Sequence, residues 1–229
     1  MTLVAEQLEK IQERIRRACA NARRRPEEVT LVLVTKFVEP ERIREAYDAG
    51  CRDFGENRVQ ELAGKHEKLP GDIRWHLVGH LQTNKVKLVL RAASLIHSLD
   101  RLHLAAALEK EAEKASVTVP LLLQVNTSQE DSKFGLRLAD VKPFVERAVG
   151  FTRLRLSGLM TIGPLGGSEA QVSGCFRELR TLREQLKTQF PDHDWPHLSM
   201  GMSGDFEWAI EEGATLVRIG RAVFGERTT

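Results

Sequence analysis

Hydrophobic positions along this chain switch between two rhythms, and each switch marks an element. Val4, Leu8, Ile11, Ile15, Ala18 and Ala22 recur every three or four residues, which predicts a leading amphipathic helix. Arg23-Arg24-Arg25 and then Pro26 follow it; cations suit a helix C-terminus through the dipole, and the run reads as a cap. Thr30 to Thr35 is a β-branched run too short for a helix and predicts a buried strand. Pro40 and Gly50 bracket a helix over 41–49. Further strands are predicted at 51–54, 73–78, 94–99, 119–125, 154–162, 197–200 and 215–219. Helices fall between them, at 57–68, 84–91, 101–115, 138–149, 169–189, 205–212 and 221–224.

Regular alternation of strand and helix predicts a parallel sheet with helices outside. About eight such units predict an α/β fold, a single (β/α)8 TIM-type barrel with an extra N-terminal helix, forming one domain over 1–229. A doubly wound open sheet is the alternative. It wants GxGxxG after the first strand, and that strand ends instead in Thr35-Lys36-Phe37.

Composition narrows the partners. With 34 Lys+Arg against 32 Asp+Glu the net charge is +2, too balanced for a nucleic-acid or membrane-surface partner. No apolar run approaches the ~18 residues of a membrane span. Cys19, Cys51 and Cys175 are sparse and form no CxxC, which argues against a disulfide framework and for a reducing compartment. Cys19 falls on the apolar helix stripe and reads as a core residue. The N-terminus lacks a secretory apolar stretch, and Glu6, Glu9 and Glu13 are foreign to a mitochondrial presequence, so the expected location is the cytoplasm. No surface helix is strongly apolar, and a monomer is expected.

In such a barrel the chemistry lies at the C-terminal ends of the strands. Lys36 closes the apolar first strand, where poor solvation favours a neutral amine able to form a Schiff base with an aldehyde. A lysine turned to solvent is the alternative reading of that position alone. The loops after strands seven and eight, Met202-Ser203-Gly204 and Gly220-Arg221, each lead into a helix and suit a phosphate. Lysine and phosphate loops together suggest pyridoxal 5′-phosphate. Arg218, two residues before the second loop, is the candidate partner of the pyridine nitrogen. A charged donor there disfavours protonation of the ring and makes the cofactor a weak electron sink. Ser199 on the neighbouring strand is placed to orient Arg218, and Asn57 to reach the ring hydroxyl side. The histidines at 66, 76, 80, 97, 103, 193 and 197 have no compact ligand spacing, and neither GxxxxGK[ST] nor GxSxG occurs, so no metal site is expected.

At these residues the sequence resembles the YggS/PROSC family of pyridoxal phosphate homeostasis proteins over nearly its whole length. The likeness rests on Val34-Thr35-Lys36, Phe54-Gly55-Glu56-Asn57, Trp75-His76 to Gly79 and Leu81 to Lys85. It continues through His97 to Arg101, Val125-Asn126 with Glu130 and Lys133, Gly158-Leu159-Met160, Gly201-Met202-Ser203 with Asp205, and Val217 to Gly220. Gly204 departs from it, standing where many members carry Asp. The resemblance implies a stand-alone alanine-racemase-type barrel with the Schiff base at Lys36, the phosphate at Ser203 and Gly220, and the ring nitrogen at Arg218.

Three functions compete. The first is a protein that stores, buffers or delivers pyridoxal phosphate, with recipient enzymes as partners. An amino-acid racemase needs bases on both faces of the bound substrate; the only tyrosine, Tyr47, falls in the first barrel helix, where it is expected to pack outside. A sugar-phosphate enzyme with a Schiff-base lysine is the third. Lys85 and Lys133 read as solvated surface lysines.

Overall fold

The computed structural model describes residues 2–130 and 133–225. The predicted domain limits, Met1 and Thr229, lie outside the described residues. Helix α1 (Leu3–Asn21) comes first, with the Thr2 hydroxyl accepting from the Ala5 amide as its N-cap. Its stripe of Val4, Leu8, Ile11, Ile15, Ala18 and Cys19 is buried, as the periodicity predicts. The basic run caps it through its backbone rather than its charge: the Arg23 amide donates to Ala20 O at 3.1 Å and the Arg24 amide to Cys19 O at 2.8 Å. No basic residue lies in its last turn; Arg23 turns into the left-handed region at φ +55°. Arg24 reaches away to the Ile210 carbonyl at 2.8 Å.

The strands are β1 (Thr30–Val34), β2 (Asp53–Glu56), β3 (Arg74–Leu77), β4 (Ala93–Leu99), β5 (Val119–Gln124), β6 (Leu154–Met160), β7 (His197–Ser199) and β8 (Leu216–Ile219). They pair in chain order, all parallel, and β8 returns to β1, which closes the barrel. Between them run α2 (Pro40–Asp48), α3 (Val59–His66), α4 (Val86–Val89), α5 (Leu102–Ala115), α6 (Leu138–Ala148), α7 (Glu169–Gln189) and α8 (Phe206–Glu211), with α9 (Arg221–Phe224) after β8. Helix α1 lies against α2, α8 and α9. A short 3-10 turn over Thr83–Lys85 replaces the start of the helix predicted from residue 84.

Alternation divides the side chains of each strand between two cores. Val32, Leu95, Leu122, Met160 and Leu216 fill the barrel interior. Leu33, Phe54, Trp75 and Val217 belong to the larger core shared with the helices. The second strand starts two residues later than predicted, because the Cys51 amide still donates to Ala46 O at the end of α2. Glu56 thereby falls inside the sheet and is wholly buried.

Candidate cofactor site

The ladder of β1 runs one residue past the strand, with the Thr35 amide donating to Gly55 O at 2.9 Å. Val38 N then bonds Thr35 O, closing a tight turn around Lys36 and Phe37. Phe37 sits at φ +60°, a conformation that costs a non-glycine residue about 1 kcal/mol or more and gathers at functional sites. Lys36 is four residues beyond the inward-facing Val32, so alternation sets it on the interior side of the mouth. It is half-buried, less enclosed than the sequence suggested, and its amine has no hydrogen bond or ion pair among the described residues.

Two carboxylates and a second lysine hold this turn from behind. Lys65, on α3, donates to Thr35 O at 2.7 Å and to Glu56 Oε1 at 2.6 Å. The Thr35 hydroxyl donates to the same carboxylate oxygen at 2.6 Å. Glu61, also on α3, accepts from the Phe37 amide at 3.1 Å and lies 3.6 Å from Lys65. Burial pushes the Glu56 carboxyl up, against the pull of Lys65 and Thr35. The peptides on both sides of Lys36 are thus anchored by side chains that the sequence reading passed over.

Arg218 is buried in β8, paired in register with Val32 of β1. Its Nη1 donates to Ser199 Oγ at 2.6 Å and its Nη2 to the Thr161 carbonyl at 2.8 Å. Thr161 is itself tied to Val125 O at 2.8 Å. Burial draws the pKa of Arg218 down to about 10, with Asp205 opposing, so the guanidinium stays charged at neutral pH. The adjacency of Ser199 and Arg218 read from the sequence is present as a direct contact.

The two loops lie beside it. Asp205 accepts the Met202 amide, and burial raises its carboxyl against that bond and against Arg218. The Met202 amide is therefore engaged within the protein, whereas Ser203 and Gly204 have no backbone acceptor for theirs among the described residues. Gly220 packs on β1, where a Cβ would stand 2.8 Å from Val34 O. Asn57 is exposed on the rim, in a depression of about 560 Å³ that it shares with Arg58, His80 and Lys85. Lys133 is not a free surface lysine: it bonds Glu130 Oε1 and Gly163 O, both at 2.8 Å. A half-buried amine, a fixed guanidinium, free amides and a glycine cradle form a donor set that fits an aldehyde carrying an anionic phosphate.

A closed barrel of eight parallel strands is the architecture of the alanine racemase N-terminal domain, and residues 7–228 match the family so described. The "Pyridoxal phosphate homeostasis protein" of Aquifex aeolicus (strain VF5) is 45% identical over 223 residues, 97% of each chain. PipY of Synechococcus elongatus PCC7942, solved with PLP bound, superposes with a TM-score of 0.86 at 35% identity, covering 97% of this chain and all of that one. The chain belongs to the pyridoxal phosphate homeostasis protein family. Alanine racemase from Bartonella henselae shares the fold at 16% identity and a TM-score of 0.71, and this chain spans 61% of its length.

Proposed function

We propose that this chain binds pyridoxal 5′-phosphate, with Lys36 as the amine that takes its aldehyde, and serves cofactor homeostasis by storing, buffering or delivering it. The observation that carries this reading is the Lys36 amine, without a partner among the described residues, on a turn anchored from both sides, in the same mouth as Arg218. Bound pyridoxal phosphate supplies an electrophilic carbon for an amine and an anionic group for backbone donors. Arg218 orients the ring from the nitrogen side, held by Ser199. Ser203 and Gly220, with Met202 between the strand and α8, line the phosphate end; Asn57 faces the ring hydroxyl side. Release to recipient pyridoxal-phosphate enzymes is the expected use, from one monomeric barrel domain in the cytoplasm. Cys19, Cys51 and Cys175 are free thiols, which accords with that compartment.

A carrier is favoured over a racemase by the place of Tyr47. It lies on α2, its hydroxyl donating to Asp72 at 2.7 Å, away from the barrel mouth. The opposite-face base that racemisation requires has no counterpart in that position. The test is the visible spectrum of the protein loaded with pyridoxal phosphate, followed by borohydride reduction and peptide mapping. A yellow protein whose reduced adduct maps to Lys36, with negligible amino-acid turnover, is expected. An adduct that persists in Lys36→Ala, or brisk racemisation, overturns the reading.

A further inference from the structure

The barrel interior also holds buried polar residues that cofactor binding does not require. Beyond Arg218 and Ser199, the Ser199 Oγ lies 2.9 Å from His97 Nδ1. His97 Nε2 lies 3.0 Å from His76 Nδ1, and His76 Nε2 lies 3.1 Å from Asp53 Oδ1. Asp53 is clasped in turn by Arg74 Nε at 2.8 Å. Five strands each give one member: β8, β7, β4, β3 and β2. All five side chains are buried.

The chemistry of the two ends sets the direction of every bond between them. A guanidinium has only donors, so Ser199 Oγ accepts from Arg218. At the other end burial opposes the charge of Asp53, but the bonds from His76 and Arg74 outweigh it and bring its pKa to about 2, so Asp53 only accepts. His76 must then donate from Nε2. A neutral His76 presents a lone pair at Nδ1, which takes the N–H of His97 Nε2. A neutral His97 presents its own lone pair at Nδ1, which takes the Ser199 hydroxyl proton. Between Asp53 and Ser199 each donor meets an acceptor.

Two other arrangements satisfy the same contacts, each with one extra proton: on His76, with the His76–His97–Ser199 bonds reversed, or on His97, which then donates to both His76 and Ser199. Asp53 is already balanced by Arg74, so either proton adds an uncompensated charge inside the barrel. The other groups facing the pair, His197 of β7 and Arg218, also disfavour a cation at His97. Burial and its neighbours push the His97 imidazole well below its ordinary value.

We propose that Asp53, His76 and His97 form a one-way hydrogen-bond chain, both imidazoles neutral with the proton on Nε2, that fixes Ser199 as the acceptor and so positions Arg218 in the barrel mouth. The chain cannot conduct protons by reversal, since Arg218 has no acceptor to offer. His76 and His97 are positioning residues. The proposal rests on the cofactor reading only for what Arg218 faces, not for the bonding itself.

Long-range nitrogen–proton correlation spectra of the labelled full-length chain without cofactor, near neutral pH, test it directly. His76→Gln and His97→Gln supply the assignments. Both rings are expected as neutral Nε2–H tautomers; an Nδ1–H tautomer of His97 or a doubly protonated ring at either position overturns the chain. Hydrogen exchange of the Arg218 guanidinium tests positioning. His97→Leu is expected to speed it about tenfold or more, while Leu122→Ala, which loosens the same interior away from the chain, changes it by less than about twofold. Equal acceleration in both variants overturns the positioning role. Neither measurement involves pyridoxal phosphate, so a failure here leaves the Lys36 adduct untouched, and a missing adduct leaves the tautomers untouched.

Discussion

Lys65 donates to the carbonyl oxygen of Thr35 at 2.7 Å, gripping from α3 the peptide that precedes Lys36. The same amine neutralises Glu56, which is wholly buried in β2. One lysine therefore compensates a buried charge and sets the position of another lysine.

Lys65→Met is expected to destabilise the fold by about 3–5 kcal/mol, the usual consequence of leaving a buried charge unpaired. Burial already raises the Glu56 carboxyl. A carboxyl raised in the folded state costs stability as pH climbs through its titration, so the deficit is largest at neutral pH and shrinks in acid. Denaturant midpoints of Lys65→Met and of Lys65→Met with Glu56→Leu check this. The double variant should recover most of the loss; no recovery would point to a cause other than the bare carboxylate.

Lys36 itself holds nothing together. Its amine has no protein partner among the described residues, so Lys36→Ala should leave stability within about 0.5 kcal/mol of the parent. The same variant should lose the borohydride-stable adduct. Thermal melting without cofactor, set beside mass mapping, separates the two effects; a large drop in melting temperature would reveal a structural role.

Acid should act in two windows. His97 has a lowered folded pKa, so the unfolded chain binds more protons below about 6.5, and stability falls as pH drops from there. His197 and His80 shift the same way and share that window. Asp53 follows: depressed from 3.8 to about 2, it contributes about 2 kcal/mol that is present above the unfolded value and disappears between about pH 4 and 2. His97→Gln should flatten only the upper window and Asp53→Asn only the lower. Unfolding free energies across pH 2–8 report both, and an unchanged upper slope in His97→Gln would contradict a neutral buried ring.

Gly220→Ala puts a Cβ 2.8 Å from Val34 O, against backbone that cannot yield cheaply. Overpacking of this kind typically costs about 1–3 kcal/mol. Pyridoxal phosphate affinity should fall as well, since the shift separates β8 from β1 below the proposed phosphate end. Gly174→Ala, on α7, meets open space away from the two loops and is the control. Equal losses in both variants would remove Gly220 from the site.

Much of this architecture is legible along the chain because barrel-forming information is local. Apolar runs such as Val119–Gln124 alternate with amphipathic stretches such as Leu138–Ala148, and punctuation at Pro40 and Gly50 needs no distant partner. Lys36 was visible for the same reason: a charge at the end of an apolar strand stands out. The start of β2 was misplaced because α2 keeps Cys51 through a backbone bond that composition does not report.

By itself the sequence determined the order of strands and helices, the lysine that ends β1 and the arginine on β8. Only the tertiary structure decided that Lys65 would brace Lys36, and that Asp53, His76, His97 and Ser199 would form one string behind Arg218. His97 and Ser199 are 102 positions apart and become hydrogen-bonded only inside the closed barrel. Periodicity tells which face of a strand a residue occupies; the partner it finds there is set by barrel closure and strand register, and these are properties of the whole sheet.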